Sequence, residues 1–326
     1  MEGRSEKAAS PEVCLAPQQG LYSYLPELII PYAELIRAAK PAGTLYLYIP
    51  SLAATLIAAS MADSPPSLSD VLTTAALFLL GSTIFRGAAC TWNDILDQDI
   101  DRRVTRTRSR PLPRGAISTE AALLYNAAQT LLGLLLLSCF PWPCVFYSLP
   151  SIALIILYPL GKRFTHYPQV ILGFTWSYGF VIAFPAMGVD LLSSPTALRT
   201  AACFYGSGIA WTIFYDTIYA HQDIQDDKRE GVKSIAIKFE ATPKLFLGSL
   251  GVTQVLLFIA AGTAMSAGNL YYLSCLSVAA TLAWTVRSVD LSNPTECAWW
   301  FHRGSWWLTG GSIVLACLSE YVARLI

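Results

Sequence analysis

Two acidic clusters, N-D-I-L-D-Q-D-I-D at Asn93 to Asp101 and D-T-I-Y-A-H-Q-D-I-Q-D-D at Asp216 to Asp227, lie at the ends of long apolar stretches. On helices, Asn93, Asp97 and Asp101 share one face through their i, i+4, i+8 spacing. Asp216, Tyr219, Asp223 and Asp227 do the same at steps of three or four. Two facing carboxylate rows predict a cage for hard cations. Mg2+ keeps several waters and is usually held by one or two carboxylates together with substrate phosphates. The expected second ligand is therefore a diphosphate bound at a bilayer surface.

Elements that position such rows must be membrane helices. Charged residues make up 13% of 326 positions and hydrophobic ones 54%, with mean hydropathy +0.47, well under the roughly 25% charge of soluble domains. Nine apolar segments of spanning length are predicted near 43–62, 71–92, 118–138, 142–160, 169–189, 198–215, 244–265, 269–286 and 303–323. Basic residues alternate between their connections. Arg37 and Lys40 precede the first span, Arg102 to Arg114 follow the second, Lys162 and Arg163 the fourth, and Lys228 to Lys244 the sixth. Connections on the other side carry almost none, and Arg199 alone breaks the pattern. The asymmetry predicts both acidic clusters on the cytoplasmic side.

Residues 1–42 are expected to form a tail with an amphipathic interfacial helix over 22–40, and residues 43–326 the transmembrane domain. This segment has no secretory h-region and bears acids such as Glu2, Glu6 and Glu12, unlike a mitochondrial transit peptide. The endoplasmic reticulum or another internal membrane is the predicted home, ahead of the mitochondrial inner membrane. Eight scattered cysteines and three histidines suggest neither a disulfide framework nor a zinc site. Zero formal net charge leaves no nucleic-acid footprint. The tryptophans, including Trp299, Trp300, Trp306 and Trp307, read as an interfacial belt.

The stretch Arg86 to Gly115, R-G-A-A-C-T-W-N-D-I-L-D-Q-D-I-D-R-R-V-T-R-T-R-S-R-P-L-P-R-G, resembles the first signature of the UbiA superfamily of intramembrane aromatic prenyltransferases. Tyr158 to Gln169, Y-P-L-G-K-R-F-T-H-Y-P-Q, resembles its middle signature, and Asp216 to Ser234 its second Asp-rich loop. Together with R-A-A-K-P at Arg37 to Pro41 they fall in the family's order. The resemblance implies an all-α, nine-helix membrane protein around a central cavity, performing Mg2+-dependent prenyl transfer.

The chemistry of the residues agrees. Breaking an allylic carbon–oxygen bond requires the diphosphate leaving group to be neutralised by metal ions and cationic side chains. Asn93, Asp97, Asp101, Asp223 and Asp227 are the candidate Mg2+ ligands. The resemblance implies that Arg102, Lys162 and Lys228 touch diphosphate oxygens. Arg86, an intramembrane arginine, joins them as a functional candidate. Tyr158 and Tyr219 are the candidates for shielding an allyl cation with an aromatic face. The resemblance also assigns Asp216 and Arg163 to the acceptor end.

Each feature has a plainer alternative. Carboxylates at helix ends serve as caps, the arginine run sets topology, and Arg86 could snorkel. A cation-binding transporter is a different class, but its ion site would lie near the midplane, not at span ends. Two subfamilies fit: 4-hydroxybenzoate polyprenyltransferases of the ubiquinone type, and enzymes that farnesylate polyketide-derived phenols in meroterpenoid biosynthesis. The acid-bearing N-terminus favours the second, so the expected partners are a prenyl diphosphate, expected to be farnesyl diphosphate, a polyketide-derived phenolic acid or pyrone, and the lipid bilayer.

Overall fold

A computed structural model of the chain describes residues 20–325, and every regular element among them is helical. The helices are α1 (Ile30–Leu35), α2 (Ala42–Met61), α3 (Leu68–Asp101), α4 (Thr119–Leu137), α5 (Trp142–Phe164), α6 (Pro168–Trp176) and α7 (Gly179–Ala186). They continue with α8 (Pro195–Ala220), α9 (Ile224–Glu230), α10 (Ile235–Lys238), α11 (Pro243–Ala264), α12 (Asn269–Ser288), α13 (Pro294–Trp299) and α14 (Gly311–Leu325). Seven segments are long and apolar enough to cross a membrane: α2, α3, α4, α5, α6 with α7, α11, and the run Pro294–Leu325. The other two expected spans are present as α8 and α12, helices of 26 and 20 residues. α8 is buried along most of its length.

Close approach between helices depends on small residues, as it must where lipid supplies no hydrophobic drive for helix association. A Cβ at Gly179 of α7 would stand 2.2 Å from Ser51 Oγ of α2, and one at Gly208 of α8 2.8 Å from Ser177 Cβ. Helix starts are fixed locally. Ser67 and Asp70 form a capping box at the head of α3, and Ser118 accepts the Ala121 N–H at the head of α4.

Three sequence expectations change. The interfacial helix over 22–40 shrinks to a 3-10 turn at Gly20–Tyr24 and to α1. Pro26 and Pro31 lack a backbone N–H, and Arg37 turns left-handed at φ 57°. The span over 169–189 breaks between α6 and α7, where Ser177 and Gly179 meet neighbouring helices. The last span starts at Pro294, earlier than expected, and passes through two π-helical turns, Trp300–Gly304 and Trp306–Gly310. These turns bring Trp300 inside, at 3% exposure, whereas Trp299 and Trp307 stay outside as the belt requires.

Candidate active site

α3 is an unbroken 34-residue rod, and its last two turns carry the first acidic cluster. Asp94, Asp97 and Asp101 are all buried there. The second cluster spans the end of α8, where Asp216 and Tyr219 are half-buried, and the start of α9. Asp223 is the N-cap residue of α9, and Asp226 and Asp227 occupy its first turn, where the helix dipole favours negative charge. Gly231, left-handed at φ 68°, ends α9.

The connection after α3 clasps the second cluster. Arg106 Nε donates to both carboxylate oxygens of Asp223 at 2.9 Å, and its Nη2 to Oδ2 at 2.5 Å. The Thr105 backbone N–H donates to Asp226 Oδ2 at 2.9 Å, and Arg103 pairs with Glu230 at 3.0 Å. Burial opposes the charge on Arg106, but the Tyr219 hydroxyl and Asp223 outweigh it and raise its pKa. Asp226 is held below the usual carboxylate range by its hydrogen bonds from Thr105.

A second charge network lies behind the first cluster. Arg37 Nη2 donates to both oxygens of Asp94, at 2.6 and 2.8 Å, and Arg110 Nη1 bridges Asp94 Oδ1 at 3.1 Å and Asp101 Oδ2 at 2.6 Å. Burial opposes the Arg37 charge, yet the Asp94 carboxylate more than compensates. Arg114 reaches Glu34 at 2.5 Å and so fastens α1 to the same connection.

Aromatic rings descend from this face into the bundle. Arg106 Nη1 donates to the Tyr219 hydroxyl at 3.1 Å, and its guanidinium carbon lies 5.2 Å from the Tyr219 ring centroid. Tyr219 packs on Phe301 at 4.0 Å; Tyr46 lies 5.1 Å from Phe301 and stacks on Tyr215 at 3.7 Å.

Arg102, Lys228, Arg163 and Arg86 each have a partner within the protein. Arg102 is exposed, 3.6 Å from Asp99, and Lys228 pairs with Glu240 at 2.6 Å. Arg163 is exposed and donates to the Leu96 carbonyl at 2.6 Å. Arg86 is buried but donates to the carbonyls of Ile36, Arg37 and Lys40, so it braces the turn before α2. Tyr158 is half-buried on α5, and the Lys162 side chain lies outside the described residues. His221 is buried, its Nδ1 2.7 Å from the Thr217 carbonyl, and burial keeps its pKa low.

Sequence reasoning gave no site role to Asp94, Arg37, Arg106 or Arg110, nor to Tyr46, Tyr215 and Phe301. The available signal was charge matching: six arginines follow directly on the first acidic run. Among the described residues no three His, Cys, Asp or Glu side chains converge as a metal-binding group. Like charges gathered there need counter-ions, and Arg106 on Asp223 and Arg110 on Asp101 supply them. The residues fit a cation shared with diphosphate oxygens, whose charge would draw the arginines away from Asp101 and Asp223.

The chain matches the UbiA prenyltransferase family over residues 47–309. It is 38% identical over 307 residues to "4-hydroxybenzoate polyprenyltransferase, mitochondrial" of Saccharomyces cerevisiae, covering 93% of this chain and 79% of that one. The Drosophila melanogaster protein of the same name is 39% identical, covering 82% of this chain and 66% of that protein. A 4-hydroxybenzoate geranyltransferase of Lithospermum erythrorhizon is 34% identical, covering 87% and 88%. A UbiA homolog from Aeropyrum pernix K1 shares the fold at TM-score 0.66 and 24% identity, covering 86% of this chain and 98% of that one. A UbiA homolog from Archaeoglobus fulgidus, bound to GPP and Mg2+, does so at TM-score 0.55 and 21% identity, covering 90% and 99%. The yeast and fly relatives, both named as mitochondrial, overturn the expectation of an endoplasmic reticulum or similar internal membrane. That expectation rested on the acids of the first 42 residues, of which Glu2, Glu6 and Glu12 lie outside the described residues. Matched along most of its length and folded like the solved homologs, the chain belongs to the UbiA prenyltransferase family and is an integral membrane aromatic prenyltransferase.

Proposed function

We propose that the protein transfers a polyprenyl group from its diphosphate to 4-hydroxybenzoate in a mitochondrial membrane. The acceptor rests on one observation: relatives bearing that name match 93% of the chain in yeast and 82% in fly. This displaces the farnesylated polyketide phenol, whose main support was the composition of the N-terminus.

The geometry supports the chemistry. A bond forms between a ring carbon of the acceptor and C1 of the prenyl group, the C1–O bond breaks, diphosphate leaves, and the ring proton goes to solvent. Asn93, Asp97, Asp101, Asp223 and Asp227 would hold Mg2+, which when bound supplies charge to stabilise the departing diphosphate. Arg106 pairs with Asp223 in the second row and Arg110 with Asp94 and Asp101 in the first, and both would exchange carboxylate for phosphate oxygens as the leaving group charges. Such charge-assisted guanidinium bonds suit either anion. Tyr219, already hosting a guanidinium near its ring, would shield the allyl cation by the same attraction. Asp216, half-buried three residues before Tyr219, would face the acceptor. Arg163 would reach the acceptor carboxylate only after leaving Leu96.

Expression in a yeast strain lacking its own 4-hydroxybenzoate polyprenyltransferase tests this reading. Recovery of polyprenylated 4-hydroxybenzoate in the mitochondrial fraction is expected. Correct membrane insertion without that product would overturn the reading.

A further inference from the structure

Near its start the last span leaves the α pattern. The turn Trp300–Gly304 is π-helical, a form that inside α-helical runs recurs mostly at functional sites. It sets two consecutive side chains against one ring. Phe301 lies 4.0 Å and His302 6.0 Å from Tyr219, centroid to centroid, with the imidazole edge-on at 85°. The backbone on both sides of the His302 side chain is pinned. The buried Tyr46 hydroxyl of α2 donates to the Phe301 carbonyl at 2.9 Å, and the Trp306 indole N–H donates to the His302 carbonyl at 2.7 Å. Gly304 permits the turn, since a Cβ there would stand 2.5 Å from the Trp300 ring. Such support holds a side chain in one place for use.

The imidazole itself is unengaged. It is half-buried, and among the described residues no hydrogen bond reaches either ring nitrogen. The Tyr219 hydroxyl beside it already receives Arg106 at 3.1 Å. Lys40, Arg106 and Arg86 bring their charge to bear on the imidazole, but ammonium and guanidinium groups only donate hydrogen bonds. An uncharged His302 ring offers an acceptor at this face, and bound diphosphate would offset the cations around it.

The inference rests on the reading that 4-hydroxybenzoate meets a prenyl cation beside Tyr219. The acceptor's hydroxyl directs attack to the ring carbon next to it, and a buried hydroxyl needs a hydrogen-bond partner. We propose that His302 is the general base of the transfer. One imidazole nitrogen takes the O–H proton while that ring carbon bonds to C1 of the prenyl group and the C1–O bond breaks, its electron pair leaving with diphosphate. The O–H electron pair becomes a carbonyl π bond, which gives a neutral cyclohexadienone. The ring proton then goes to water and His302 returns its proton to the carbonyl oxygen, so the phenol is restored.

The test uses the full-length protein in proteoliposomes with Mg2+ and hexaprenyl diphosphate. Two acceptors are compared, 4-hydroxybenzoate and 3-fluoro-4-hydroxybenzoate, whose fluorine makes the hydroxyl more acidic. His302→Gln keeps a neutral hydrogen-bonding side chain that cannot take the proton. With 4-hydroxybenzoate it should lower kcat about a hundredfold, the low end of what general bases contribute. KM for the prenyl diphosphate and the melting midpoint should stay at parent values. With the fluorinated acceptor the gap between parent and variant should close to about tenfold or less, because a more acidic hydroxyl needs less help. His302→Ala should regain at least tenfold in rate with added imidazole and little with pyrazole, a ring of the same size and far weaker basicity. Parent-level turnover in His302→Gln, equal gaps for the two acceptors, or imidazole rescue no greater than that by pyrazole overturns the role of His302 and leaves prenyl transfer standing. No transfer to 4-hydroxybenzoate by the parent protein removes the acceptor reading and this inference with it.

Discussion

Asp94 shows what residue spacing hides. It adjoins the candidate ligand Asn93, yet it is fully buried and holds Arg37 and Arg110. An i, i+4 pattern selects a helix face but does not say which of two adjacent polar residues points outward to a ligand and which points inward to a partner. Arg106 and Arg110 were equally hidden, because a run of arginines after a span also serves topology; only the folded chain shows Arg106 on Asp223. Removing one partner of a buried pair costs about 3–5 kcal/mol. Asp94→Ala should lose stability of that order in thermal unfolding in detergent, and an unchanged midpoint would contradict the network. Asp223→Asn should keep its place in the membrane but lose turnover by about a hundredfold or more, the usual cost of removing one preorganised electrostatic group. Activity near the parent level at saturating Mg2+ would remove Asp223 from the metal-ligand set.

Helices were more legible than side chains, since each expected span corresponds to a helix or to a broken helix in the structure. Hydropathy reports how much apolar length a segment has, but not where two helices touch. For that reason the α6–α7 break and the π-helical turns around Trp300–Gly310 were out of its reach. Contact also separates glycines that look alike in sequence. Gly179→Ala must displace Ser51, whose backbone N would lie 2.7 Å from the new Cβ, so a loss of about 1–3 kcal/mol is expected. Gly248 in α11 has nothing within 4 Å, so Gly248→Ala should stabilise by roughly 0.5–1 kcal/mol through helix propensity. Equal melting shifts for the two variants would count against the α2–α7 packing.

For the whole molecule, a network of paired charges gathers where the two acidic clusters meet the connection after α3. The alternation of basic connections already predicted both clusters on one side. It did not show that the acidic loops are bridged by the protein's own arginines, because pairing between residues more than a hundred positions apart leaves no periodic trace. With Arg106 on Asp223 and Arg110 on Asp101, cation binding is expected to strengthen when diphosphate draws the arginines away. Electron paramagnetic resonance of Mn2+ with the purified protein should show weak binding alone and at least tenfold tighter binding with inorganic diphosphate. Tight binding without diphosphate would instead point to a carboxylate cage. The central claim is tested most directly by mass spectrometry of the lipid extract from proteoliposomes given Mg2+, hexaprenyl diphosphate and 4-hydroxybenzoate. The expected product is 4-hydroxybenzoate carrying one hexaprenyl group on a ring carbon, abolished by EDTA. Prenylation of polyketide phenols with none of 4-hydroxybenzoate would contradict the assignment.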